Sequence, residues 1–460
     1  GYNVANSCRF NDGDSAYLSR TFGTPTDNNV WTFSFWMKRG ILGSAMQMFD
    51  SDTASGNEGY LLINSAADPA TYIYQASPAV NAQFNISRKL RDPSAWMHVV
   101  WSFNSDDGTE ADRMQIWYNG VRGTDFTTDT QPALNAPSTI NEAKAHQIGA
   151  KMDGSRYFDG YLAEVVFIDG SALAPTSFGE FNADSPTIWQ PIDVSELTFG
   201  DNGFYLDFED SADLGKDVSG NGNDWTANNL AAVDQCVDLP TNNFCTLNPL
   251  DNYWSGATFS EGNCYIVGLS GSRSGNSGTI ALTAGKWYWE VKPIALPSYG
   301  ASLGIVSVLP TAANQKVGDI ANCWGKRTYN TTYDTGGVAT TYGTTIAVDD
   351  IVGVALDLDN LKLYFSKGGV WMDDSSGTTG IPTSGATGTG AISITAVAST
   401  VDGVYFPAVS DSTDSAAMTI AINFGNPPYV NTSDAADENG YGKFEYAPPS
   451  GYLALCTKNL

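Results

Sequence analysis

The chain has 460 residues, 42% of them hydrophobic and 12% aromatic, with 47 Gly; that length suits two or three domains, each able to bury a core. Its 23 Lys+Arg stand against 50 Asp+Glu, a formal charge of −27, which repels phosphate backbones and argues against nucleic acid as a partner. No apolar run approaches the roughly 20 residues that cross a bilayer, so membrane insertion is not expected.

Taken in chain order, the first block runs from about Asn6 to about Asp210. WTFSFWMKRG (Trp31 to Gly40) alternates bulky and small residues and ends in charge, the pattern of a half-buried strand. AWMHVVWSF (Ala95 to Phe103) and RMQIWYNGV (Arg113 to Val121) predict two more, with Asn119-Gly120 as a hairpin turn. HQIGAK (His146 to Lys151) and FDGYLAEVVFIDG (Phe158 to Gly170) close the block. No amphipathic helix is visible, so the expectation is an all-β chain.

TNNFCTLNPL (Thr241 to Leu250) is rich in Asn and Pro and reads as a connector. Residues 1–230 and 251–460 are then two antiparallel β-sandwiches in series, joined by 231–250. In the second, GKWYWEVK (Gly285 to Lys292), the run from Asp349 to Gly369, GVYFPAVS (Gly403 to Ser410) and MTIAINFGNPPY (Met418 to Tyr429) predict strands. SSGTTGIPTSGATGTG (Ser375 to Gly390) reads as a flexible surface loop. The tail KFEYAPPSGYLALCTKNL (Lys443 to Leu460) is apolar and Pro-braced, and is expected to dock on the second domain.

The ordered pieces RFNDGDSAYLSR, TFSFWMKR, WMHVVWSF, IWYNGV, IGA and FDGYLAEVVF resemble the laminin-G-like, concanavalin A-like jelly roll over roughly the first 200 residues. The departure is Gly160-Tyr161-Leu162-Ala163-Glu164, where that family carries Asp-Glu at the end of the motif. LDLDN, LYFSK, FPAVS and INFG make residues from about Tyr253 to about Tyr429 similar to the SPRY domain, another β-sandwich. The pair in this order, ending in PPSGYLALCT, resembles surface proteins of tailed bacteriophages. That resemblance implies a virion-surface protein, made in the host cytoplasm and displayed outside the particle. It implies other virion subunits as partners, a homo-oligomer, and host-surface glycans or proteins as ligands.

The residues themselves offer little for catalysis. The E-x-D-x-x-E run used by glycosidases on this sandwich is missing; Glu164 and Asp169 fall on opposite strand faces. Asp207 and Glu209 share a face in DFED, where a solvated rim is the simpler reading. His98, one of two His, sits inside WMHVVW as a structural strand residue. No G-x-S-x-G, H-E-x-x-H or P-loop occurs. The expectation is therefore that the chain is not an enzyme. The six Cys form no C-x-x-C pair, which argues against zinc; they read as buried free thiols, with Cys236–Cys245 as one candidate bridge. Gly1 in place of Met reads as a processed or trimmed start, and no secretion leader is visible.

Binding is better supplied. Asn, Asp and Gly-backed loops hydrogen-bond sugar hydroxyls, and aromatics stack on sugar rings. The candidate ligand loops carry Asp12 and Asp14, Asp52 and Asn57, and Asp106 and Asp107; the same Asp-Gly and Asn-Gly pairs are also plain turn formers. In the second block, Tyr299, Trp324, Tyr329 and Trp371 are candidate anchors for a partner, with burial in the core as the alternative for each. DVSGNGNDW (Asp217 to Trp225) has two readings. Asp217, Asn221, Asn223 and Asp224 carry oxygens of the kind calcium takes, and calcium is the one cofactor this pattern admits. A turn held by Asx hydrogen bonds, with Trp225 buried behind it, is the other. On that second reading, Gly220→Ala or Gly222→Ala is expected to cost more than Asp217→Asn or Asp224→Asn.

Three functions remain open at this point: an adhesin that binds host glycans, a structural decoration or fibre protein that binds only virion subunits, and a polysaccharide-degrading enzyme.

Overall fold

The computed structural model describes residues 2–51, 58–65, 70–76, 80–251, 256–308, 315–412 and 416–460. The chain is all-β, with 6% helix and 39% strand, and its helical segments are short 3-10 turns. It divides into two units, Gly1–Asn243 and Phe244–Leu460.

The first unit stacks two eight-stranded sheets. One runs, edge to edge, through Val121–Arg122, Met114–Tyr118, Met97–Asn104, Val30–Arg39, Gly160–Asp169, Ser7–Phe10 and Gln235–Cys236, with Phe204–Leu206 also paired to Gly160–Asp169. The other runs through Phe126–Thr130, Val80–Lys89, Ala70–Ala76, Gly59–Ile63, Met46–Ser51, Ala145–Ile148, Tyr17–Thr21 and Thr226–Asn228. Between them lies an aromatic core in which Trp31, Phe33, Phe49, Trp101, Phe167 and Trp225 are buried.

Val30–Arg39 differs from its sequence pattern. A half-buried strand alternates, yet Trp31 to Arg39 are all buried. The cause is a second apolar layer on the back of the sheet, where Trp36, Trp96, Tyr161 and Trp189 pack together and Val100, Val166, Ile168, Phe178 and Tyr205 form a further cluster. Residues 170–205, which carry no strong strand pattern, supply much of this cover.

The stretch read as a connector is shared between the units. Gln235–Cys236 pairs with Ser7–Phe10, and Asp238 is locked by Lys38 at 2.7 Å and by the Trp96 indole N–H at 2.9 Å. From Phe244 on, the chain belongs to the second unit. All six Cys are buried and none is in a disulfide, so the candidate Cys236–Cys245 bridge does not form; the two residues are fixed in separate units by strand pairing and by the Cys245 N–H donating to Leu455 O.

The second unit stacks a nine-stranded sheet on a six-stranded one. The first is centred on Lys286–Ala295, flanked by Val352–Asp357 and Thr419–Asn423; the second is centred on Ala301–Val306, between Phe406–Asp411 and Cys323–Arg327. The tail adds Leu453–Ala454 as a parallel strand beside Trp287–Tyr288. The low-complexity run expected to be flexible is folded down instead: Pro382 O accepts the Tyr452 hydroxyl, and Ser384 Oγ accepts the Thr389 N–H.

Candidate functional site

Strand directions decide which candidate loops can act together. Phe10 pairs with Gly160, which pairs with Arg39, so the Asp12 and Asp14 turn lies at the Arg39 end of the first sheet. Asn104 pairs with Val30, so Asp106 and Asp107 lie at the opposite end, about 30 Å away along a ten-residue strand. These two acidic turns cannot share one ligand ring. Asp14 is engaged by the Asn11 amide at 2.8 Å and Asp107 by the Thr109 N–H at 2.7 Å. Asp52 and Asn57 lie outside the described residues.

At the Val30 end a rim of Asn and Asp is hydrogen-bonded into one piece. Its centre is Asp169, buried at the end of its strand. One carboxylate oxygen accepts the N–H groups of Thr26 (2.8 Å) and Asn202 (3.0 Å); the other accepts those of Asp27 (3.2 Å) and the Asn141 side chain (2.7 Å). Asn202 in turn donates to Gly23 O and to Asn141 Oδ1. The Asp106 carboxylate accepts from the Asn29 amide at 2.9 Å. Gly200 is required here: its φ is +74°, and a Cβ would meet Asp169 O at 2.0 Å. Sequence reasoning missed Asp169, Asn141 and Asn202; the turn pairs Asp169-Gly170 and Asn202-Gly203 were the visible signal.

The Asp217 to Asp224 segment closes this rim, and its donors are spent. Asp217 Oδ1 accepts the Tyr205 and Ser219 N–H groups, and Oδ2 accepts the Ser219 hydroxyl and the Asn223 N–H, all within 2.8 to 2.9 Å. Asn221 and Asn223 turn their amide NH₂ groups to the carbonyls of Gly200, Asp201 and Gly203. Asn223 Oδ1 accepts from Arg20. Asp224 takes the Asp217 N–H at 2.9 Å and pairs with Lys216 at 3.5 Å. This donor set does not fit calcium, which needs six to eight oxygens converging on one point; here the Asp217 and Asp224 carboxylates and Asn223 Oδ1 accept from N–H and hydroxyl groups of the protein instead. Among the described residues no group of three His, Cys, Asp or Glu is placed to hold a metal.

Glu164 and Asp207 are near enough for the Asp207 charge to add to the raised pKa of Glu164. Glu164 sits on a β-bulge between Ala163 and Val166, at φ +50°. It is buried under the hydroxyls of Tyr2 (3.2 Å) and Tyr205 (2.7 Å), and burial pushes its pKa up to about 7. Asp207 and Glu209 are not on a strand face as expected: the strand stops at Leu206, Phe208 has φ +59°, and Asp207 caps the Glu209 N–H. His98 is buried between Ser34 and Trp189. Its Nδ1 accepts the Trp189 indole N–H at 3.0 Å, so the Nε2 proton points to Ser34 Oγ at 2.8 Å.

The four aromatic candidates in the second unit separate into three environments. Trp324 is only 4% exposed, a correction to its expected role; it pairs with Ile305 within a strand and packs edge-on against Tyr405. Trp371 is half-buried beside Tyr364 and lines an open groove of about 460 Å³ with Lys367, Val370 and Thr379. Tyr299 and Tyr329 come together: they are 58% and 36% exposed, with ring centres 5.7 Å apart at 88°. Arg327, which sequence reasoning missed, donates to the Tyr329 hydroxyl at 2.8 Å and pairs with buried Asp334 at 2.5 Å.

Comparison with known proteins bears on the fold. Residues 11–176 match the family model described as the Concanavalin A-like lectin/glucanases superfamily. No curated protein sequence matches the chain. Among solved structures, the chain is similar to the SPRY domain of human HERC1, at 12% identity over 38% of this chain and 96% of that one, with a TM-score of 0.29. A human SPRY domain is similar at 15% identity over 37% and 95%, with a TM-score of 0.27. A protein of Bacteroides ovatus ATCC 8483, provisionally named as carbohydrate binding, is similar at 16% identity over 49% and 59%, with a TM-score of 0.33. The match over residues 11–176 is to a concanavalin A-like family model, and SPRY domains are among the solved structures to which the chain is similar.

Proposed function

We propose that the chain is a non-catalytic adhesin on the surface of a bacteriophage particle, in a tail fibre or similar appendage, and that it binds glycans of the host surface. The observation that carries the binding reading is the Tyr299–Tyr329 pair. Among the described residues the only other aromatic as open to solvent is Phe181, so two exposed rings in contact, one held by Arg327, are a feature that packing alone does not call for. Such rings offer apolar faces to a pyranose while the hydroxyls and guanidinium offer hydrogen bonds. The hydrogen-bonded Asn and Asp rim of the first unit, and the match of residues 11–176 to a superfamily of lectins and glucanases, whose members handle carbohydrate, support the same reading.

The alternative is a structural decoration or fibre protein bound only to other virion subunits or to copies of itself. Val338–Thr341 favours it, as a mostly exposed strand at the margin of the six-stranded sheet, available for strand addition. A glycan array probed with the full chain separates the two. Binding that falls at least tenfold in Tyr299→Ala/Tyr329→Ala, at unchanged Tm, supports the adhesin; no binding to any glycan overturns it.

A further inference from the structure

At the Arg39 end of the first unit, away from the Asn and Asp rim, a pocket of about 170 Å³ is lined by Arg39, Lys89, Arg91 and Asp92, with Trp96 and Met97 among its apolar walls. Three cations to one carboxylate is an inversion of a chain that carries 50 Asp+Glu against 23 Lys+Arg. Asp92 is already engaged, with one oxygen accepting the Ser94 N–H and hydroxyl at 2.8 and 2.6 Å.

Arg39 is the telling member. It is 2% exposed. One terminal nitrogen donates to Leu90 O at 2.6 Å and the other to Ile41 O at 3.0 Å. Its Nε is buried with no hydrogen-bond partner. Among the described residues no carboxylate forms an ion pair with it; Asp159 acts only at longer range and has one oxygen committed to the Ile41 N–H. Burial lowers the guanidinium pKa to about 10. A buried cation without a counter-ion is costly, and truncating the charge or supplying an anion are the ways to relieve it. This chain keeps the charge and leaves a pocket beside it.

We propose that this pocket binds the carboxylate of an acidic sugar, one uronate-type ring of a host glycan. Arg39, Lys89 and Arg91 surround the carboxylate, and Trp96 and Met97 lie against the ring. The volume is below the few hundred Å³ of drug-sized sites and suits a single ring. The apolar wall favours a sugar acid over an inorganic anion, which has no CH face to bury. The assignment rests on the glycan-binding reading and narrows it to acidic glycans.

The test is calorimetric titration of the full chain with sodium glucuronate, glucose and sodium sulfate in parallel. Glucuronate is expected to bind in the millimolar range, more weakly as salt rises, while glucose does not. Lys89→Gln/Arg91→Gln removes two of the three cations that line the pocket, so in the folded variant, checked by circular dichroism, glucuronate affinity should drop at least tenfold. Equal binding of glucose, equal binding of sulfate, or an unaffected double variant each overturns the assignment. If neutral glycans bind on an array and glucuronate does not, the pocket assignment falls and the adhesin stands. If no glycan binds, both fall.

Discussion

Asp169 and Asn141, 28 residues apart, meet at 2.7 Å through carboxylate and amide, and this bond ties two loops of the first unit into one rim. The same carboxylate holds three backbone N–H groups. Asp169→Ala strands all four donors in a buried site, which is expected to cost about 3 kcal/mol or more. Urea unfolding of the first unit should register the loss, and amide exchange should rise at Thr26, Asp27 and Asn202. A change under about 0.5 kcal/mol, the range of ordinary surface substitutions, would show that the rim is not held this way.

For Asp217 to Asp224, the structure reverses the ranking expected from sequence. A Cβ on Gly220 or Gly222 meets nothing within 4 Å, so each Ala change costs only the left-handed backbone strain, about 1 kcal/mol. Asp217→Asn places an NH₂ against N–H donors and is expected to cost about 2 to 3 kcal/mol. Tm should be insensitive to calcium. Scanning calorimetry of the three variants, with and without calcium, checks both statements.

Glu164 gives a pH dependence of definite sign. Its carboxyl titrates near 4.5 when unfolded and about 7 when folded, so between those values the folded state holds the extra proton. The contribution is full below about 4.5 and is lost as pH rises through about 7, about 3 kcal/mol at most. Asp411, also raised to about 7 by burial, adds with the same sign. Burial holds His98 and His146 down to about 3, so they pull the opposite way below pH 6.5. Comparison with Glu164→Gln isolates the one carboxyl: the variant should match the parent at pH 5 and exceed it at pH 8. Parallel curves across that range would refute the assignment.

Lys38 and Asp238 are a fully buried ion pair, and Asn243 also accepts from Lys38 at 2.7 Å. Asp238→Ala leaves a buried cation and should cost about 3 to 5 kcal/mol. Limited proteolysis is the sharper measurement. The parent should resist cutting between Ala231 and Asn243, and the variant should be nicked there first.

How far the sequence could be read follows from which forces are local. Strand positions and the all-β class came from alternation and turn pairs, which act within a few residues. Cover from a distant segment does not: nothing inside WTFSFWMKRG announces that Trp36 will be buried by Trp96 and Trp189. For Trp324 the sequence leaves partner contact and core burial both open, and its strand pairing with Ile305 is what places it in the core. The acidic turns looked equivalent by composition, and only the antiparallel register sent Asp12 and Asp106 to opposite ends. Arg39 looked like the charged end of a strand, and its unmatched burial emerges only when Leu90, Ile41 and Met46 close over it.

The tail strand of the second unit has a consequence for synthesis. Thr419–Asn423 pairs with Glu290 to Ala295, while Trp287 and Tyr288 are paired by Leu453 and Ala454. Phe244 and Cys245, at the start of the unit, join Cys456 and Leu455 at its end. The unit is a ring whose first and last residues are neighbours. On a ribosome adding about 5–20 residues per second, its central strand therefore waits, partly unpaired, until residues near Leu455 have cleared the exit tunnel. The same closure means the backbone can be opened elsewhere: a circular permutant that links the two ends and starts at the exposed Gly336–Gly337 turn retains every one of these pairings.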